Sequence, residues 1–455
     1  MKSSTVAAIS TAQGEGGIGV IRISGDEAVK IADKVFKCVG NKCLADLKGY
    51  TASFGYVYNG EEKLDEAVAL VFKAPHSYTG EDVVEISCHG GLFITKEVLW
   101  TVLEAGASHA QAGEFNKRAF LNGKIDLAEA ESVMDIIGAK SRSAVRTALV
   151  TKDGALSRKI NTIKDDLINK AAHLSAWADY PEEDIPEITE DNLENSLNNA
   201  EKELTDLLST YDMGQIVKEG IDTVIAGRPN VGKSTLMNLL TGSDKSIVTE
   251  IPGTTRDIIE ETVVLGNVIL RLSDTAGLRE TDNRVEQIGV EKAKKRLENC
   301  GLVLAVFDSS ATLNNDDYEL IDAIKDVPSI AIINKSDLDK NIDTDYISKN
   351  ISQIVYISAA QGDGLKDLVE AIEKVVGTNN FNPSEAILSN ERQRDSANRA
   401  LMSVKEAKDA LMMGMTFDAV TVSLEEAISS LLELTGERAS EEIVDKVFHN
   451  FCVGK

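Results

Sequence analysis

No stretch of this sequence approaches the roughly 18 uninterrupted apolar residues of a membrane helix, so no membrane span is expected. Cysteines are few and scattered: Cys38, Cys43, Cys88, Cys300 and Cys452 are odd in number and include no Cys-x-x-Cys pair. That argues against a disulfide framework or a zinc knuckle and places the chain in a reducing cytoplasm. Positive charge is also short, with 48 Lys and Arg against 74 Asp and Glu and a net charge of −26. Strong non-specific binding of nucleic acid is therefore not expected, and any RNA contact must come from local basic clusters. The first nine residues hold one lysine and a short apolar run, which reads as a strand and not as a signal peptide.

What remains is an ordinary globular balance, 43% hydrophobic and 27% charged, over 455 residues, a length that predicts two to three domains. Residues 1–118 alternate β-rich runs with glycine turns and one helical run, an α+β pattern. From 119 the period lengthens. Leu156, Ile160, Ile163, Leu167, Ala171 and Leu174, then Leu193, Leu197, Ala200, Leu204 and Leu207, mark two long amphipathic helices. The acidic segment between them carries Pro181 and Pro186, which keep it out of helix. Helical spacing returns at Ala397, Leu401, Val404, Ala407 and Leu411, and at Leu424, Ile428 and Leu431. In between, residues 217–377 read as β-α alternation with near-continuous apolar strands, hence a parallel sheet covered on both faces. An α/β domain interrupting two helical segments is most simply an insertion.

The inserted part carries the chemistry. Gly227-Arg228-Pro229-Asn230-Val231-Gly232-Lys233-Ser234, followed by Thr235, fits the phosphate-binding loop G-x-x-x-x-G-K-S/T between a strand and a helix. Its backbone N–H groups can close around phosphates at a helix N-terminus. Lys233 supplies charge to the β- and γ-phosphates, and the Ser234 hydroxyl suits magnesium. Asp274-Thr275-Ala276-Gly277 ends another strand, where the aspartate can hold the magnesium shell and the glycine N–H can sense the γ-phosphate. Asn334-Lys335-Ser336-Asp337 ends a third. A carboxylate there accepts both the ring N–H and the exocyclic amine of guanine, a donor pair that adenine lacks. Ser358-Ala359-Ala360 closes the last strand, where a backbone N–H would meet the guanine carbonyl; the lysine or arginine often found last in that loop is absent. Four elements in this order specify GTP over ATP.

Leu278 follows Gly277, where Ras-like enzymes place the glutamine that orients the attacking water. Leucine cannot hydrogen-bond, so hydrolysis needs another source of order and charge. The Asn230 amide oxygen can coordinate a monovalent cation, and Thr249-Glu250-Ile251-Pro252-Gly253-Thr254-Thr255 can add carbonyl oxygens and a magnesium-binding threonine. A potassium ion there would act on developing phosphate charge as an arginine finger does.

With these motifs, residues 16–25 (Gly-Gly-Ile-Gly-Val-Ile-Arg-Ile-Ser-Gly), 77–82 (Ser-Tyr-Thr-Gly-Glu-Asp), Gly113-Glu114-Phe115, 118–124 (Arg-Ala-Phe-Leu-Asn-Gly-Lys) and 451–455 (Phe-Cys-Val-Gly-Lys) give a chain that resembles the MnmE (TrmE) family of tRNA-modification GTPases over essentially its whole length. The resemblance implies a multidomain α/β plus α fold: an N-terminal α+β folate-binding-like and dimerisation domain at 1–118, a helical domain at 119–216 and 378–455, and a Ras-like parallel-sheet GTPase domain inserted at 217–377. It implies that Asn230, Thr249, Ile251 and Thr254 ligate potassium, that Ser234 and Thr255 ligate magnesium, and that Glu286 orients the water. Arg22, Glu81, Lys124 and Lys455 would hold a tetrahydrofolate derivative, 5,10-methylene- or 5-formyl-tetrahydrofolate. Cys452 would serve modification and not GTP hydrolysis. The implied reaction builds an aminomethyl-type group, usually carboxymethylaminomethyl, at C5 of the wobble uridine of certain tRNAs. The chain would act as a homodimer with the FAD-dependent MnmG (GidA) protein, since no dinucleotide fingerprint is found here.

The series Gly14-x-Gly16-Gly17-x-Gly19 leads into a strand and not a helix, which rules out a dinucleotide loop. The best basic cluster for tRNA is Lys117, Arg118 and Lys124 with Arg142, Arg146, Lys152, Arg158 and Lys159. Three other readings compete. A ribosome-assembly GTPase would carry a basic RNA-binding module, and none is visible. A dynamin-like GTPase would need an apolar or polybasic tip, whereas the long loop is acidic. A folate-only enzyme would not keep every nucleotide motif intact.

Overall fold

A computed structural model describes residues 4–40, 42–179, 190–242, 261–274, 297, 300–379 and 381–454. The chain divides into two compact units. One comprises Met1–Met134, Ser157–Leu193 and Met402–Lys455; the other comprises Asp135–Leu156 and Glu194–Leu401.

The first unit opens with β1 (Val6–Ile9), β2 (Ile18–Ser24), α1 (Ala28–Val35), β3 (Phe36–Cys38), β4 (Thr51–Asn59), β5 (Glu62–Phe72), β6 (Val83–His89), α2 (Leu92–Glu104) and β7 (Ser108–His109). They form a seven-stranded sheet in the order β3-β4-β5-β6-β2-β1-β7. Side chains alternate across a strand, so Ile21 and Ile23 of β2, Val84 and Ile86 of β6 and Ala69 and Val71 of β5 share one face. That face is buried under Val29, Ile31, Val98 and Val102 of α1 and α2. Arg22 and Ser24 necessarily point the other way, and Arg22 stands opposite Glu85 and Ala8 in register. On that second face Val6, Ala8 and Ala110 enclose Phe115 of α3 (Glu114–Leu121). Helix α4 (Leu127–Gly138) follows.

Helices α5 (Arg142–Lys152), α6 (Ala155–Asp179) and α7 (Glu190–Glu219) lead to β8 (Ile221–Ala226). The apolar series starting at Leu156 and at Leu193 is buried on α6 and α7, as its spacing requires. Next come α8 (Lys233–Thr241), β9 (Glu261–Leu265), β10 (Val268–Asp274), β11 (Leu302–Asp308), α9 (Asn315–Ile324), β12 (Ser329–Asn334), α10 (Asp345–Asn350), β13 (Gln353–Tyr356) and α11 (Leu365–Val375). Their sheet runs β13-β12-β11-β8-β10-β9. Every pair is parallel except β9 with β10. Buried side chains cover both faces, with Leu304, Val306 and Ile332 on one and Val303, Ala305 and Ile333 on the other. The apolar runs without alternation follow from that double burial. Strand order reverses beside β8, and a crevice at such a switch point, outside the strands' carboxyl ends, is where open α/β sheets bind ligands.

Helices α12 (Glu391–Met412), α13 (Phe417–Thr435) and α14 (Glu441–His449) complete the chain. Val444 and Phe448 of α14 pack with Ala119, Ile125 and Leu127 in the first unit. Among the described residues no helix is long and apolar enough to cross a membrane.

Candidate functional site

Strand β8 stops at Ala226 and α8 starts at Lys233, so the phosphate loop lies at the switch point. Gly232 has φ +101°, and a Cβ there would lie 2.2 Å from Asn334 Nδ2. Only glycine fits. Helix α8 begins without a side-chain cap, which leaves its first N–H groups directed at the loop. Lys233 Nζ donates to the carbonyls of Gly227 and Arg228, both at 2.9 Å. Phosphate oxygens are better acceptors for an ammonium than carbonyls, so this loop fits a nucleotide. Ser234 and Thr235 are exposed on the first turn of α8.

Asn334, the last residue of β12, is 2% exposed. Its Nδ2 donates to Val231 O at 2.9 Å, and its Oδ1 accepts from Ala359 N at 3.0 Å. One buried amide thus ties the phosphate loop to the loop after β13. Ser358 is buried too, and its carbonyl accepts from Gln361 and Gly362, closing the turn that presents exposed Ala360. Lys335 has φ +63°, and its Nζ donates to Asn230 O at 3.0 Å and pairs with Asp308 Oδ2 at 2.6 Å. Asn230 itself has φ +65° and is exposed. The exposed Asp337 carboxylate accepts no hydrogen bond from the described residues.

Asp308 was not read from the sequence; its only signal is an acid ending the apolar run of β11. Burial would raise its carboxyl, but hydrogen bonds from Lys335 and Ser310 outweigh that and hold it below the ordinary value. A depressed carboxyl contributes stability above the unfolded-state value of about 4 and loses it as pH falls through the folded value. Asp308→Asn should therefore weaken GTP binding severalfold at neutral pH by releasing Lys335. Urea midpoints of the two proteins should converge below about pH 4. Midpoints that stay equally far apart at every pH would remove this role.

Several expected site residues lie outside the described residues: Thr249, Glu250, Ile251, Pro252, Gly253, Thr254, Thr255, Thr275, Ala276, Gly277, Glu286 and Lys455. Asp274 ends β10 in the described backbone.

A second constellation occupies the open face of the first sheet. Arg22 Nε donates to Glu85 Oε1 at 2.8 Å, and its guanidinium lies 5.5 Å from the Tyr78 ring and 5.4 Å from that of Phe115. The outer fork of Arg22 has no partner among the described residues, so it is available to an anionic ligand. Tyr78 donates its hydroxyl to Asn116 Oδ1; burial raises that hydroxyl while Arg22 opposes the shift. Asn116 is fully buried, and its Nδ2 has no partner among the described residues. Glu81 accepts from Ser24 Oγ at 2.7 Å and from Arg118 Nη1 at 3.0 Å. Lys124 is exposed, and its Nζ meets Pro75 O at 3.2 Å. Aromatic walls, a carboxylate and cations within one face suit a flat, donor-rich ring with an acidic tail.

The tail of the chain joins this unit. Gly113 N donates to Cys452 O, Val453 bridges to Ala112, and Ser10 Oγ donates to Gly454 O at 3.0 Å. Gly454 has φ +97°, and a Cβ there would lie 2.1 Å from Ile9 O. The Cys452 segment is thereby docked beside β1, one residue beyond Ala8, the register partner of Arg22. Cys452 is exposed.

Arg118 leaves the basic cluster expected to meet tRNA, because it is 9% exposed and spent on Glu81 and Glu114. Lys117 pairs with Asp445, and Arg146 donates to Ser384 Oγ. Gly14, Gly16 and Gly19 line a cavity of about 290 Å³ beside Leu92 and Thr95 of α2 and open no helix of their own.

Two family models match the chain: the GTP-binding protein TrmE N-terminus over residues 5–124 and the MnmE helical domain over residues 127–452. The tRNA modification GTPase MnmE of Clostridioides difficile is 42% identical over 454 residues, covering 99% of both chains. The protein of the same name from Lactococcus lactis is 43% identical over 453 residues, covering 99% of this chain and 98% of its own. Among solved structures, Aquifex aeolicus Era bound to GDP and AlF4− is 30% identical across 42% of this chain and 67% of that one, with a TM-score of 0.29. With both modules matched in order and relatives alike from end to end, the chain belongs to the MnmE (TrmE) family of tRNA modification GTPases.

Proposed function

We propose that this GTPase is activated by potassium and that its cycle serves the modification of C5 of the wobble uridine in certain tRNAs, together with an FAD-dependent MnmG (GidA) partner. The group added is of the aminomethyl type, carboxymethylaminomethyl in the usual case. The observation that carries the reading is the convergence of Lys233, Asn334, Lys335 and Ala359 on one crevice, in a chain whose other unit builds a separate site around Arg22 and Glu81.

Lys233 releases its own loop carbonyls to bind the β- and γ-phosphates, and Asp337 reads the guanine edge. Ser234 and Thr255 hold magnesium, with Asp274 in its shell. Asn230, Thr249, Ile251 and Thr254 hold the potassium, which supplies positive charge where Leu278 offers none. Glu286 positions the water. In the first unit Arg22, Glu81, Lys124 and Lys455 bind a tetrahydrofolate derivative, the source of the one-carbon unit, and Cys452 serves the modification step. The chain works as a homodimer in the cytoplasm, with domains at 1–118, 119–216 with 378–455, and 217–377. Exposed Ile18, Phe54 and Val68 on the open face of β2, β4 and β5 support self-association, because an unpartnered apolar sheet face invites cover.

The test is the rate of GTP hydrolysis in potassium against sodium at equal ionic strength. A cation acting on transition-state charge predicts at least about a tenfold advantage for potassium. Equal rates would end the cation mechanism.

A further inference from the structure

Arg228 follows Gly227 in the phosphate loop, and its side chain reaches toward α9. That side chain is 20% exposed, and its Nε lies 3.7 Å from Asp317 Oδ2. At this length the charges attract, but no hydrogen bond is made. Asp317 is 2% exposed and held in place by a reciprocal cap. Its N–H donates to Asn314 Oδ1 at 3.1 Å, and its Oδ2 accepts from Asn314 N at 3.0 Å. The other carboxylate oxygen, Oδ1, is buried and has no hydrogen-bond partner among the described residues. Leaving a buried carboxylate oxygen unpaired is costly, and a guanidinium one short step away can remove that cost. On its backbone side Arg228 is tied elsewhere, because its carbonyl and that of Gly227 both accept from Lys233 Nζ at 2.9 Å. Gly227 itself has no room to shift toward β11: a Cβ there would lie 2.4 Å from the Val306 carbonyl. Adjustment of the loop therefore falls on Arg228.

We propose that Arg228 is a positioning residue of the phosphate loop: as Lys233 exchanges loop carbonyls for nucleotide phosphates, the Arg228 guanidinium closes on Asp317 and fixes the loop against α9. The proposal rests on the assignment of Lys233 to the phosphates above. Once Lys233 turns to the phosphates, the Arg228 peptide loses the cation that tied it, and the unpaired Oδ1 draws the guanidinium in. A guanidinium suits this closure better than an ammonium, since its fork can meet Oδ1 while Nε stays beside Oδ2. The bond gained is charge-assisted and shielded from water, so it is among the stronger ones available to the loop. Part of the affinity for nucleotide then comes from a pair that the phosphates never touch. Arg228 acts through the loop backbone and not on the ligand.

The experiment is calorimetric titration of the full chain with GDP and magnesium, in wild type, Arg228→Met, Arg228→Lys, Asp317→Asn and the Arg228→Met/Asp317→Asn double variant. Each of Arg228→Met and Asp317→Asn should weaken GDP by about tenfold. The double variant should be no more than about threefold worse than either, because both changes remove the same closing contact. Arg228→Lys should recover part of the loss, since an ammonium restores the charge but not the fork. Such a cycle of affinities reads only the difference in coupling between free and bound protein. A pair that merely braced the fold in both would cancel and leave affinity untouched. Single variants that bind GDP within about threefold of wild type, or single effects that multiply in the double variant, overturn the positioning role. If circular dichroism shows that Asp317→Asn has lost its helical signal, the two Arg228 variants carry the test, and wild-type affinity in both overturns it. A Lys233→Ala variant that binds GDP as tightly as wild type overturns the assignment of that lysine, and this inference with it.

Discussion

Asp337→Asn is expected to lower affinity for GTP by about 100-fold or more and to create binding of xanthosine triphosphate. The carboxylate is exposed and takes no hydrogen bond from the described protein, so its replacement costs the fold little. Its two oxygens suit the ring N–H and the exocyclic amine of guanine. The amide keeps one acceptor but turns a donor toward that amine, leaving two donors facing each other. Xanthine presents a carbonyl at the same place and restores the match. Competition titrations with GTP, xanthosine triphosphate and ATP would measure the exchange. Unchanged GTP affinity in the variant would mean that Asp337 does not read the base.

The second large effect is expected at Gly232. The Gly232→Ala variant must hold a side chain at φ +101° and push Asn334 Nδ2 away from a contact of 2.2 Å. Strain of this kind costs about 1–3 kcal/mol before any clash is counted. Displacing Asn334 then loosens both Val231 and Ala359, the two loops that it ties together. GTP binding should fall by about 100-fold or more, since about 1.4 kcal/mol is tenfold and the two costs combine. Gly60→Ala is the control: it has φ +59° in the turn between β4 and β5, with no atom near a Cβ. That variant should bind GTP as wild type does. Gly232→Ala retaining affinity within about threefold would show that the loop yields where its geometry says it cannot.

Much of the candidate nucleotide site's framework was legible because its parts obey local rules. The phosphate loop is one unbroken segment, and a strand before it and a helix after it can be read from apolar spacing alone. The same holds for Asn334 to Asp337, which terminate an apolar strand. The work done by Asn334 was not legible. A buried amide joining Val231 to Ala359 depends on β8, β12 and β13 meeting at one edge, and no spacing records that meeting. Strand β9 was also missed, being five residues long and, among the described residues, the only antiparallel member of its sheet. Arg118 shows the opposite failure. Between Lys117 and Lys124 it looks like one more surface cation, and only partners from distant segments, Glu81 and Ser4, withdraw it from solvent. Sequence proximity of like charges says little about where each side chain ends up. The family resemblance placed Arg22 and Glu81 together, while the ring contacts of Arg22 with Tyr78 and Phe115 needed the folded sheet.

The hydrogen bond from Ser10 to Gly454 spans 444 positions of the chain. At about 5–20 residues per second a ribosome needs roughly 20–90 seconds to travel that distance, and for all of that time the Ser10 hydroxyl lacks the carbonyl that accepts from it. The docking of residues 452–454 against Ser10 and Ala112 is therefore the last step in building the first unit, long after β2 and β7 have flanked β1.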